Sequence, residues 1–260
     1  MKNNSCFSIK NLSFSYGEKR IFQNLSLEIP YGKVTTIMGA NGCGKSTLFQ
    51  LLTKNEVPSS GVISLQNHNL SGIDLKSFSK KVATVHQTNT APNDMTVKKL
   101  VSYGRVPYTR LGLPINPELD EKMINRAMKI TGILRLKDRT IQQLSGGQRQ
   151  RAWIAMALAQ GTKIILLDEP TTYLDIRYQI QILRMIKALN QKAGITVVMV
   201  LHDINQALSY SDEIIALSPH GEPVVQGQPQ EIISEEVIKK IYGIDLAVKR
   251  VNDKPFVITV

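Results

Sequence analysis

The stretch GANGCGKST, Gly39 to Thr47, sets three glycines within six residues where an apolar run, VTTIM, gives way to STLFQLL. β-Branched residues before it favour a strand, apolar residues at helical spacing after it favour a helix, and the glycines mark the turn between them. The pattern fits GxxxxGK[ST]. Gly39, Gly42 and Gly44 let backbone amides surround a β-phosphate, with Ala40, Asn41 and Cys43 between them and Thr47 closing the stretch. Lys45 reaches the β/γ oxygens, and Ser46 offers a hydroxyl to magnesium.

Two further stretches suit the same chemistry. IILLDEP (Ile164 to Pro170) is a buried strand ending in two acids. Consecutive side chains at a strand end point in different directions. Asp168 can therefore serve the magnesium shell, while Glu169 faces a water aligned for in-line attack on the γ-phosphate. In QQLSGGQRQR, Ser145, Gly146, Gly147 and Gln148 open a helix whose amides and positive dipole end suit an anion. With one phosphate loop already present, this second helix start is expected to meet a nucleotide held by another subunit.

The organisation around these motifs is α/β. FSIKNLSFSY, IFQNLSLEI, VTTIM, GVISL and VATVH read as strands, and helical segments follow from Val97 to about Arg139. RVPYTRLGLPINPE interrupts them with prolines and glycines, which predict an irregular surface loop. Strands and helices then alternate: IILLD, a helix with Ile176, Ile180, Leu183, Ile186 and Leu189 on one face, ITVVMVL, INQALSYS and EIIAL. That alternation implies a parallel sheet flanked by helices. SEEVIKKIYG predicts one more helix, and LAVKRV and FVITV predict closing strands.

Composition narrows the setting. At 260 residues and 42% apolar content the chain can bury one sizeable core. No apolar run approaches the roughly 18 residues of a spanning helix, and MKNNSCFSIK lacks a signal-peptide stretch, so a cytosolic setting is expected. The two cysteines, Cys6 and Cys43, predict neither a disulfide framework nor a metal site. The net charge of +11 is spread over pairs such as Lys80-Lys81 and Lys239-Lys240, predicting a generally basic surface and no nucleic-acid partner.

LSGGQ, downstream of a phosphate loop and just upstream of LLDEP, resembles the signature of the ABC family of ATPases, and the resemblance covers almost the whole chain. It implies a single ABC ATP-binding domain over 1–260. Its RecA-like parallel-sheet core, of the P-loop NTPase type, would span about 1–88 and 160–222 and carry an antiparallel β subdomain. An α-helical subdomain would span about 89–159, and a C-terminal extension about 223–260. The resemblance further implies that Tyr16 stacks on adenine, that Gln87 contacts the metal or water, and that His202 contacts the γ-phosphate. It implies too that two such domains sandwich two ATP molecules with magnesium, each completed in trans by Ser145, Gly146, Gly147, Gln148 and the Asp175 loop. Cys43 departs from the serine common in that family. Its amide and not its thiol would face phosphate, so function is expected to survive, with alkylation blocking the site.

SYGRVPYTR, QRQRAWIAMALAQ, DEPTTYLDIRYQ and VLHDINQALSYSDEIIAL resemble the ATPase subunits of bacterial importers for iron(III)-siderophores, and more broadly for haem and cobalamin. The expected partners are a second, identical ATPase subunit, a membrane permease received at Thr88 to Pro117 through Tyr103, Tyr108 and Leu111, and indirectly an extracytoplasmic binding protein. The expected location is the cytoplasmic face of the membrane. A soluble ABC ATPase of iron-sulfur assembly or DNA repair type is the competing class. A RecA-like motor on nucleic acid leaves LSGGQ unexplained.

Overall fold

The computed structural model describes residues 5–251 and 254–258, and the chain divides into two compact units, Met1–Ile73 with Thr196–Val260, and Asp74–Ile195. The first four residues of MKNNSCFSIK and the last two of FVITV lie outside the described residues. The first unit opens with β1 (Ser5–Tyr16) and β2 (Lys19–Pro30), paired antiparallel so that Phe7, Ile9, Leu12 and Phe14 meet Ile29, Leu27, Leu25 and Phe22. Asn11 and Asn24 take positive φ of 50° and 54°, and the register shifts beside Asn11; asparagine tolerates that conformation better than most residues. Next come β3 (Val34–Gly39), α1 (Lys45–Leu52), β4 (Ser60–Leu65), antiparallel to β1, and the two-residue β5 (His68–Asn69).

The second unit is mostly helical. α2 (Leu75–Ser79), capped by Asp74, leads to β6 (Val82–Val85), and α3 (Val97–Ser102) is capped by Thr96. The expected surface loop after it is more ordered than its prolines suggest. Tyr103–Tyr108 forms a 3-10 turn with Gly104 and Arg105 buried. β7 (Thr109–Arg110) and β8 (Leu113–Pro114) then make a hairpin on Leu111 and Gly112, both at positive φ, as a two-residue turn of this kind requires. α4 (Pro117–Ile130) starts with Pro117 at its first position behind an Asn116 cap, and α5 (Gly146–Ala159) starts at Ser145. β9 (Ile164–Asp168) runs parallel to β6, and both strands are almost wholly buried, which is why they read as continuous apolar runs.

α6 (Ile176–Ala193) runs from an Asp175 cap to Gly194 at φ 63°. Its buried stripe is Ile182, Leu183, Ile186, Leu189 and Asn190. The expected apolar face therefore starts too early, because Ile176, at the first position of the helix, is 72% exposed.

On its return the chain completes the first unit with β10 (Thr196–Val200), α7 (Ile204–Tyr210), β11 (Glu213–Leu217) and β12 (Pro223–Gly227). β10 and β11 pair parallel with the two sides of β3, and β12 joins β11 antiparallel. α8 (Pro229–Ile232) and α9 (Glu235–Tyr242) follow, the latter ending at Gly243 with φ 74°, as its sequence predicts. β13 (Ala247–Val251) and β14 (Lys254–Ile258) form a closing hairpin. It is fastened to α7, because Asn205 donates from Nδ2 to the Val257 carbonyl at 2.9 Å and accepts the Val257 amide at 2.9 Å.

Candidate functional site

In the first unit the predicted phosphate-binding residues lie together at the end of β3. The backbone turns there because Gly39, Gly42 and Gly44 take φ of 154°, 81° and 102°, values that a side chain strains. A Cβ on Gly39 would also sit 2.7 Å from both the Cys43 sulfur and the Leu217 carbonyl oxygen, so the start of the loop is closed to any larger residue. Lys45 is only 5% exposed, and its ammonium donates to the Gly39 and Ala40 carbonyls at 2.9 Å each. The chain thus stores a cation on the loop's own carbonyl oxygens, within the cradle a phosphate would enter.

Tyr16 stands at the end of β1, half-exposed, with its ring edge-on to Phe14 at 4.8 Å. Its pKa is raised, by burial first and then by the Glu56 charge, with the neighbouring Thr47 opposing in part. The expected aromatic therefore stands near Thr47, at the end of the glycine-loop stretch. His202 is exposed just beyond β10, ahead of Asp203, which caps α7 by accepting the Gln206 amide at 2.8 Å.

Cys43 corrects an expectation. Its side chain is 1% exposed, and burial raises its pKa, with Lys45 opposing only in part. A thiol that stays protonated and covered reacts poorly. Incubation of the folded chain with iodoacetamide at neutral pH should leave ATPase activity intact and both cysteines unmodified by mass spectrometry, whereas denatured chain labels fully. Rapid inactivation through Cys43 would contradict the burial.

In the second unit Gln87 and Glu169 meet. Gln87 donates from Nε2 to Glu169 Oε2 at 2.5 Å, and the Thr172 hydroxyl donates to the same oxygen at 3.0 Å. Glu169 is 8% exposed and sits at φ 48°, a left-handed backbone that a non-glycine residue adopts only under strain from its surroundings. Asp168, the last residue of β9, is 5% exposed. His86, before Gln87, is half-buried, which lowers its pKa.

Ser145 and Gln148 form a reciprocal capping box: the Ser145 amide donates to Gln148 Oε1 at 3.1 Å, and the Gln148 amide donates to Ser145 Oγ at 3.4 Å. Gly146 is exposed and Gly147 buried, and a Cβ on Gly147 would lie 2.7 Å from the Tyr178 ring. Tyr178 also donates its amide to the Asp175 cap at 3.1 Å. One aromatic thus brings the start of α5 and the start of α6 together, a role the sequence hides because a tyrosine in a first helical turn looks like surface.

A buried parallel strand, a glycine loop and a helix with a lysine folded onto the loop define a phosphate-loop nucleotide-binding protein. The chain belongs to the ABC transporter family, whose model matches residues 22–172, and is an ATP-binding, ATP-hydrolysing subunit of α/β fold. It is 45% identical over 235 residues, 90% of this chain and 86% of that protein, to the ferric enterobactin transport ATP-binding protein FepC of Escherichia coli K12. It is 41% identical over 238 residues, 92% of this chain and 88% of that protein, to the iron(3+)-hydroxamate import ATP-binding protein FhuC of Bacillus subtilis 168. Among solved structures, cbiO1 from Clostridium perfringens, part of the ABC transporter complex cbiONQ, superposes with a TM-score of 0.79 at 29% identity, covering 90% of this chain and 93% of that one. Among the described residues no helix is long and apolar enough to cross a membrane.

Proposed function

We propose that the chain drives import of an iron(III)-siderophore through a membrane permease, working as an identical pair at the cytoplasmic face of a bacterial membrane. The likeness over nine-tenths of the chain to subunits named for ferric enterobactin and iron(3+)-hydroxamate carries the cargo class. Each ATP sits between the phosphate loop of one copy and Ser145 to Gln148 of the other. In support, Tyr173 at 89% and Ile176 at 72% exposure flank Asp175, leaving apolar surface beside that loop for a second copy to cover.

Tyr16 stacks on adenine, and Lys45 moves from the Gly39 and Ala40 carbonyls to the β/γ oxygens. Magnesium fits the donors present, since the Ser46 hydroxyl, the Asp168 carboxylate and the Gln87 amide oxygen, left over when its nitrogen bonds Glu169, are all hard oxygen ligands. When bound it neutralises charge on the phosphate oxygens. Glu169 accepts the proton of the attacking water, with Gln87 and Thr172 fixing its carboxylate, and His202 contacts the γ-phosphate.

The closed pair is favoured only while γ-phosphates bridge the copies. Shifting such an equilibrium from 1:99 to 99:1 takes about 5.5 kcal/mol. Charge-assisted hydrogen bonds of roughly 1.5–3 kcal/mol apiece at two bridges supply it. Opening after hydrolysis is passed to the permease, received at Thr88 to Pro117, where Tyr103 and Leu111 are exposed. An extracytoplasmic binding protein delivers the cargo.

Cells lacking this chain should fail to grow on a ferric siderophore as sole iron source and recover when it is restored. Equal growth with and without it would reject iron-chelate import.

A further inference from the structure

Arg105 is a cation that the nucleotide chemistry leaves unused, yet it is among the most fully engaged side chains in the second unit. Its side chain is 7% exposed beside Asp120 at 9%. Nε donates to Asp120 Oδ1 at 2.8 Å, and Nη1 donates to the carbonyls of Ala159 and Gln160 at 3.0 and 3.2 Å. The Tyr108 ring covers the guanidinium at 3.9 Å from its centroid. One side chain therefore joins the 3-10 turn Tyr103–Tyr108, α4 and the last carbonyls of α5. Its neighbour makes the joint tight, because a Cβ on Gly104 would lie 2.1 Å from the Met156 carbonyl oxygen.

α5 suits a lever. Ala152, Trp153, Ile154, Ala155, Ala157 and Ala159 are all buried, so the helix moves as one piece or not at all. Its 14 residues span about 20 Å. Ser145 to Gln148 occupy one end, and the Arg105 fork holds the other. Tyr103 and Val106, on the same turn, are exposed, so the turn has an outer face that can be pushed and an inner face that cannot slip.

We propose that Arg105 is a positioning residue that locks the 103–108 turn to the C-terminal end of α5, so that displacement of this turn and closure of Ser145 to Gln148 over a nucleotide are one event. This rests on the proposed role of Ser145 to Gln148. Lysine cannot substitute: it has no planar fork to hold a carboxylate and two carbonyls at once, and it stacks poorly on a ring.

Because coupling is reciprocal, ATP at one end of α5 must register at the other. The test is amide hydrogen exchange of residues 103–110 in the full chain carrying Glu169→Gln, with and without ATP and magnesium. The expected result is about a 5-fold or greater gain in protection on adding ATP. Arg105→Lys should abolish that gain while ATP affinity and ATP-driven pairing stay within about twofold, an effect below the usual coupling range. Tyr108→Leu, which removes the stacking and keeps the hydrogen bonds, should lose only part of it.

The proposal is overturned if Arg105→Lys keeps the full gain, or if the Glu169→Gln chain pairs with ATP and shows no gain. It is overturned equally if the Arg105→Lys amides exchange at the unfolded rate without nucleotide, since Arg105 is then only a local staple. Failure of the Glu169→Gln chain to pair at all rejects the nucleotide sandwich instead.

Discussion

Glu169→Gln should bind ATP about as well as the parent, hydrolyse it roughly 10²–10⁴-fold more slowly, and accumulate as a closed ATP-bound pair. The substitution removes the charge and basicity of the side chain and keeps its shape. The side-chain carbonyl can still accept from Gln87 and from the Thr172 hydroxyl, the partners now on Oε2 at 2.5 and 3.0 Å. The strained backbone at φ 48° is also unaffected, since glutamine and glutamate share the same steric demands. What disappears is the group proposed to take the water's proton. Phosphate release measures the first effect, and light scattering with ATP and magnesium measures the second. Turnover near the parent rate would take Glu169 out of water handling, and only monomers in scattering would count against the sandwich.

Lys45→Ala should weaken ATP binding by roughly 10²–10⁴-fold, because two charge-assisted hydrogen bonds of about 1.5–3 kcal/mol each are lost and each 1.4 kcal/mol is tenfold. The side chain is 5% exposed and already makes two bonds of the kind it would offer to phosphate, to Gly39 and Ala40. Its removal leaves those carbonyls without their cation and the cradle without its main positive charge. Titration calorimetry with ATP reads the loss directly, with circular dichroism to confirm the fold. Unchanged affinity would move the nucleotide off this loop.

The sequence was most legible where one short segment determines its own shape. The glycine loop needs positive φ at three places and announces it with three glycines. α9 carries its own Ser234 cap and Gly243 stop, and both occur as written. Legibility fell where a neighbour decides. Ile176 matches the helical period of α6 yet is exposed, since periodicity marks a face without saying where packing begins. The prolines of Arg105 to Glu118 suggest surface, while Arg105, with Gly104 just ahead of it, is drawn inward beside Met156, Ala159 and Asp120. Tyr178 touches both Gly147 and Asp175, a meeting that separation along the chain conceals. Cys43 was read as a loop residue open to alkylation, and its cover was not legible, because burial of a thiol is a property of the folded core.

The clasp of Asn205 on Val257 ties the closing hairpin to α7. A side-chain amide here imitates a neighbouring strand, satisfying both backbone groups of one residue in β14. Three residues before that asparagine stands His202. The tail is thereby fastened to the first turn of α7, and its loss would free the helix start beside which His202, the proposed γ-phosphate contact, stands.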